Sequence, residues 1–190
     1  MSRNDPPFAP AADVAFQVRH PLYTPEERLR RDASVWTTVQ GILAPIQFLV
    51  FLISLGLVLR CLLTGQGLEA ANASVVIKTL TLYTIMVTGC IWEKVVFGRY
   101  LFAPAFFWED VFSMLVLALH TGYIYALATD ALTLEQLMAL ALAAYAAYVV
   151  NATQFLLKLR AARLDYAAQV LRARERAGQA TAMPTRGLAA

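Results

Sequence analysis

Four long apolar runs alternate along the chain with short polar joints, over about 35–59, 74–92, 105–128 and 134–157. Each reaches or nearly reaches the roughly 20 apolar residues that cross a 30 Å hydrocarbon core. Ahead of the first run, Pro21-Leu22-Tyr23-Thr24-Pro25-Glu26-Glu27 predicts a helix start. Thr24 can cap it, Pro25 suits the first helical position, and Glu27 completes a capping box. That helix carries Arg28, Arg30 and Arg31, then continues or re-forms as the first span. Pro104 stands where the start of the third span tolerates it, and Thr133 with Gln136 repeats the capping-box logic before the fourth. Beyond Leu157 the helix is expected to run on as an amphipathic extension bearing Lys158, Arg160, Arg163, Arg172, Arg174 and Arg176. Residues 1–17, with Pro6, Pro7 and Pro10, read as a flexible tail, 18–165 as the membrane domain, and 166–190 as a basic helix whose end is disordered from Gly178. The expected fold is all-α, an integral membrane four-helix bundle with helical extensions at both ends.

Composition agrees with that pattern. The 190 residues suit one domain; 59% are hydrophobic, mean hydropathy is +0.55, and only 15% are charged, against about 25% in soluble domains. The net charge of +3 gains meaning from its distribution. Of 16 Lys and Arg, 14 fall in the N-terminal segment, the second loop (Lys94, Arg99) and the C-terminal segment, leaving Arg60 and Lys78 for the other side. Cytoplasmic loops are enriched in Lys and Arg, so both termini are expected in the cytoplasm, and nucleic-acid binding is excluded as the reason for the surplus. The first thirty residues contain no apolar signal-peptide core, so the N-terminus is expected to be retained. Cys61 and Cys90 fall near opposite membrane faces, too far apart for a disulfide, and read as packing residues.

The stretch 91–125, IWEKVVFGRYLFAPAFFWEDVFSMLVLALHTGYIY, sets Glu93, Lys94, Glu109, Asp110 and His120 among apolar residues. A charge at the bilayer centre costs roughly 2.5–3.5 kcal/mol even on lenient scales, so such residues tend to face a bundle interior and mark function. Glu93 could pair with Lys94 or Arg99, and Glu109 and Asp110 could simply complement a helix N-terminus. The surrounding Trp92, Phe106, Phe107, Trp108 and Phe112 argue instead for carboxyl groups usable as proton donors. His120 lies eleven residues beyond Glu109, on one helix face and about 16 Å along the axis. It could hydrogen-bond a neighbouring helix, ligate a metal or a magnesium-bearing ring, or relay protons. Gln40, Gln47, Thr81, Thr84, Thr88, Asn151 and Gln154 read as interhelical hydrogen-bonding residues. Tyr83, Tyr123, Tyr125, Tyr145 and Tyr148 could stack on a flat ring or simply pack. There is no Walker sequence, Gly-rich dinucleotide turn or HExxH, and two histidines are too few for a di-iron or haem–copper centre. No metal or redox cofactor of the protein's own is expected.

Two strings, PLYTPEERLRRDASVWTTVQGILAPIQF (21–48) and WEKVVFGRYLFAPAFFWEDVFSMLVLALHT (92–121), resemble the 3-vinyl bacteriochlorophyllide hydratase family of bacteriochlorophyll biosynthesis, and the resemblance covers about 21–165. It implies a multi-pass hydro-lyase of a bacterial cytoplasmic or intracytoplasmic membrane. Such an enzyme adds water to the C3 vinyl group of chlorophyllide a or a related pigment, giving a 1-hydroxyethyl group without a cofactor. The resemblance supplies no catalytic residues. From the residues themselves, Glu109, Glu93 and Asp110, in that order, are the candidates for the acid and the water-orienting base. His120, Trp108 and Tyr123 are the candidates for substrate binding, His120 as a ligand to the substrate's magnesium. The implied partners are the pigment, water and the bilayer, with contact to other pigment-biosynthesis enzymes and homo-oligomerisation left open. A non-catalytic pigment-binding or assembly protein is the alternative; a small transporter finds no support in the helix pattern.

Overall fold

The computed structural model describes residues 22–182, so the proposed tail over 1–17 and the last eight residues lie outside the described part. Among the described residues the regular structure is wholly helical: α1 (Pro25–Ala33), α2 (Val35–Thr64), α3 (Leu68–Phe97), α4 (Phe107–Thr129) and α5 (Leu134–Ala182). The last four are long and apolar enough to cross a membrane, and only 22–28% of each span window is buried inside the protein. Their outward faces carry Ile42, Leu49, Ile53, Leu80, Val87 and Leu156. Apolar side chains point outward while Gln47, Lys78, Glu93, Asp110 and His120 are buried, the arrangement a lipid solvent demands. The chain is a multi-pass membrane protein.

The caps form as their residues require. Thr24 N–H donates to Glu27 at 2.8 Å and Glu27 N–H donates to Thr24 Oγ1 at 3.2 Å; Thr133 and Gln136 make the same reciprocal pair at 3.1 and 3.3 Å. Ser34, extended at ψ 127°, ends α1 and caps α2 by accepting from Trp36 N–H, so the first span re-forms after a break. α2 and α3 overrun their expected ends, reaching Thr64 and beginning at Leu68. Lys78, counted with the far side although inside the expected span, lies ten residues into α3 and is fully buried. α4 begins at Phe107, later than Pro104, because Phe106 N–H closes a turn onto Ala103 O at 2.8 Å. α5 stays helical past Gly178 to Ala182, where a disordered end was expected.

Neighbouring helices run antiparallel, as their cross-links require. Early α2 meets late α3 through Gln40 Nε2 donating to Thr88 Oγ1 at 2.8 Å, and late α2 meets early α3 through Ser54 and Ser74 at 2.7 Å. Tyr123 of late α4 donates to Asn72 of early α3 at 2.7 Å, and Asn151 of α5 donates to Ser113 of α4 at 2.9 Å. Within the bundle an apolar core forms around Phe51, Val58, Leu82, Val116, Met138 and Tyr145. A smaller aromatic core joins Tyr23, Trp92, Phe97, Phe106 and Phe155 at the end where α1 packs.

Candidate active site

The α3–α4 turn builds the first part of the site. Gly98 ends α3 at φ +79°, a left-handed conformation that suits glycine. Lys94 Nζ donates to Gly98 O at 2.9 Å and lies over Tyr100. It therefore holds the turn, and the alternative pairing of Glu93 with Lys94 or Arg99 does not form among the described residues. Phe102 adopts φ +58°, unusual for an aromatic residue, and its N–H donates to Asp110 Oδ2 at 2.7 Å. Ala103 N–H donates to Glu93 Oε2 at 3.4 Å. Through these contacts the turn brings Glu93 from the end of α3 against Asp110 from the start of α4, and the two carboxyl groups face each other at hydrogen-bonding range. They are 5% and 3% exposed. Two carboxyl groups brought this close can share a hydrogen bond only with a proton on one of them. Such strained backbone beside buried charge is found preferentially at functional sites.

Glu109 follows a different geometry. Its Oε2 accepts from Lys158 Nζ of α5 at 2.6 Å, while Lys158 also lies 5.0 Å from the Phe106 ring centroid. Glu109 is thus the compensated anion of an ion pair beside the carboxyl pair. The three acids do share one end of the bundle. Trp108, expected to bind substrate, points outward at 65% exposure with its edge on Phe107. Successive helical residues fan out by 100°, so Trp108 cannot face inward along with Asp110.

The second part of the site lies deeper. His120 is fully buried on α4, its Nδ1 is 2.8 Å from Val116 O, and its Nε2 has no hydrogen-bond partner. Donation from Nδ1 fixes the tautomer that leaves Nε2 as a bare lone pair directed into the interior. The ring packs 5.9 Å from Tyr145, whose hydroxyl bonds Ser54. Tyr123, also buried, gives its hydroxyl to Asn72, thirteen residues and about 20 Å of helix from Asp110. Sequence reasoning passed over Lys78 and Lys158 as site residues, and named Tyr145 only among five tyrosines that could stack on a ring. A lysine inside the apolar run VVIKTLTLY was the available signal for the first; nothing local marks the partner that Lys158 finds 49 residues away. Tyr145 also lines a groove of about 370 Å³ between α2 and α5, with Phe51, Leu55, Leu142, Ala146 and Val149. Among the described residues no three His, Cys, Asp or Glu converge as a metal site.

Four apolar spans that enclose two adjacent carboxyl groups and a buried imidazole, with an apolar groove at one side, define a class: integral membrane proteins with ionisable groups held in their interior. Comparison with known sequences gives the family. The profile of 2-vinyl bacteriochlorophyllide hydratase matches residues 23–161. Proteins named 2-vinyl bacteriochlorophyllide hydratase are 71% identical over 144 residues in Cereibacter sphaeroides, covering 76% of this chain and 89% of that one, and 67% identical over 151 residues in Rhodobacter capsulatus, covering 80% and 88%. The chain belongs to the 2-vinyl bacteriochlorophyllide hydratase family, a family of hydro-lyases. No solved structure matches it.

Proposed function

We propose that the protein hydrates the ring vinyl group of chlorophyllide a or a related bacteriochlorophyllide, at the carbon counted as 3 in current numbering and 2 in the older scheme. The observation that carries this reading is the contact between the Glu93 and Asp110 carboxyl groups. Hydration needs one proton donor, one water and the return of one proton. The protonated carboxyl gives its proton to the terminal vinyl carbon, which becomes a methyl group, and positive charge develops on the inner carbon beside the conjugated ring. Water oxygen bonds that carbon, and its surplus proton passes to the carboxylate, restoring the pair. The net change is vinyl plus water to 1-hydroxyethyl, with no electron gained or lost.

The other residues take roles that fit their surroundings. Glu109, foremost on sequence grounds, is held by Lys158 in an ion pair, and ties α4 to α5 at the acid end instead of donating the proton. His120 Nε2, bare and buried, ligates the magnesium of the substrate, directly or through water; magnesium prefers oxygen ligands, so a single nitrogen suits holding and releasing it. Tyr123 supports the wall behind His120. The apolar groove beside Tyr145 gives the flat ring a way in from the lipid. The basic residues flanking the acid end support N-in, C-in orientation with the acids at the cytoplasmic face, and labelling from outside of a cysteine introduced at Asp130, with none at Arg99, tests it.

Membranes holding the protein, given vinyl chlorophyllide in labelled water, are expected to yield hydroxyethyl product carrying one solvent oxygen without added reductant. Product free of solvent oxygen sinks the reading, and pigment bound but never converted favours a binding or assembly role.

A further inference from the structure

Lys78 stands apart from every other cation in the described protein. It is 0% exposed, its Nζ has no hydrogen-bond acceptor among the described residues, and its ammonium lies over the ring of Tyr148, 3.8 Å from the centroid. Both ion pairs in the described structure, Arg31–Asp32 and Lys158–Glu109, lie elsewhere. An ammonium group deep in a bundle is costly unless compensated, and intramembrane charges are accordingly kept where they serve a ligand or a pathway. The ring of Tyr148 offsets only part of that cost.

The neighbours of Lys78 are also unpartnered. The His120 ring lies within range of its charge and presents a bare Nε2. On α2, Gln47 is buried with both amide atoms unbonded. Gln47 stands one turn before Phe51, whose ring packs 5.0 Å from Tyr148 and 5.4 Å from Tyr145. Three helices, α2, α3 and α4, thus direct unspent polar groups into one apolar interior, and Phe51 and Tyr145, packed beside it, also line the lateral groove. One cation and an amide among aromatic walls suit a single carboxylate attached to a large apolar body; a free polyanion would find too few donors and no aqueous route.

We propose that Lys78 is a specificity-determining residue that pairs with the free carboxylate of the pigment's propionate arm. This rests on the hydratase reading, since a chlorophyllide differs from a chlorophyll in bearing that acid unesterified. The spacing agrees: Asp110 and His120 are ten residues apart on α4, about 15 Å, and Glu93 and Lys78 fifteen apart on α3, about 22 Å. A tetrapyrrole carries its vinyl group and propionate arm on neighbouring pyrroles, a macrocycle's breadth apart. A proton-transfer contact at one end and an ion pair at the other extend that breadth to the range of these separations.

The test compares vinyl chlorophyllide with its methyl ester on the full-length protein in membranes. For the wild type, KM for the ester is expected to exceed that for the acid about tenfold or more. Lys78→Met should treat acid and ester alike, and Lys78→Arg should keep part of the preference. Equal KM values for the wild type overturn the proposal and leave the hydratase reading standing, as does a Lys78→Met loss equal for both pigments. If Lys78→Met does not accumulate, the wild-type comparison decides alone. If the wild type converts neither pigment, the hydratase reading has failed, and titration of the pigment absorbance bands still decides: tighter binding of the acid supports the carboxylate contact, equal binding refutes it.

Discussion

Replacing Glu93 by Gln separates proton donation from structure. The Glu93 carboxyl occupies three relationships: contact with Asp110, an acceptor for Ala103 N–H at 3.4 Å, and burial at 5% exposure. An amide preserves the shape, still offers an oxygen to Ala103, and gives Asp110 an N–H donor. The structural loss is therefore that of one weakened hydrogen bond, about 0.5–1.5 kcal/mol. What the amide cannot do is exchange a proton with Asp110, and positioned proton transfer contributes about 10²–10⁴-fold, or roughly 3–5 kcal/mol of barrier. The expected result is a turnover number at saturating pigment reduced by at least about a hundredfold, with little change in thermal unfolding in detergent. Asp110→Asn should fall comparably, and the double variant little further, because the two carboxyl groups act as a unit. The result that refutes the reasoning is an E93Q enzyme within a few-fold of wild type while Glu109→Gln is inactive. That outcome would return the donor role to Glu109 and reduce the carboxyl pair to a loop fastening.

Lys158→Met strips the counter-ion from Glu109. Lys158 is 27% exposed, so the loss should fall between the roughly 0–1 kcal/mol of surface pairs and the about 3–5 kcal/mol of buried ones. Thermal unfolding reads it, and adding Glu109→Leu should recover most of the loss; no recovery means the pair does not act as drawn. At the other margin of the aromatic core, burial holds the Tyr23 hydroxyl above the usual tyrosine range, with the Arg31 guanidinium over its ring pulling the other way. An unfolded tyrosine ionises at about 10, so the stabilising contribution is complete below that pH and is lost as pH rises toward the folded value. Tyr23→Phe should blunt the alkaline decline in the unfolding midpoint, and an identical decline in both proteins would contradict the assignment.

Features governed by neighbours in the chain were legible in sequence: four spans from apolar run length, and the Thr24–Glu27 and Thr133–Gln136 caps from residue type at fixed spacing. The stretch holding the acids was legible too, because charge among aromatic residues is conspicuous wherever it folds. The pairing of the acids was not. It depends on the left-handed Phe102, and the partner of Glu109 is a lysine from another helix; neither has a local signature. Trp108 faces away from the acids for a reason that helical geometry does contain: it lies two residues before Asp110 and so on the opposite side of α4. Lys78 was counted only toward the charge of the far side, because a side-by-side count of basic residues takes no account of the apolar run around it.

Polar residues inside this bundle fall into two physical groups. Lipid is as apolar as leucine, so burial of apolar surface does not drive the spans together, and packing with interhelical hydrogen bonds must hold them. Gln40–Thr88, Ser54–Ser74, Tyr83–Thr121, Tyr123–Asn72 and Asn151–Ser113 do this, each joining two helices with a partner found. The Lys78 ammonium, His120 Nε2 and the Gln47 amide have no such partner, and as fastenings they would only add cost. Their persistence at one depth, next to the groove walled by Phe51 and Tyr145, makes sense if their partners arrive with a ligand. With the proposed reaction at the Glu93–Asp110 pair, these three groups would carry the proposed site from the α1 end of the bundle toward the middle of its interior.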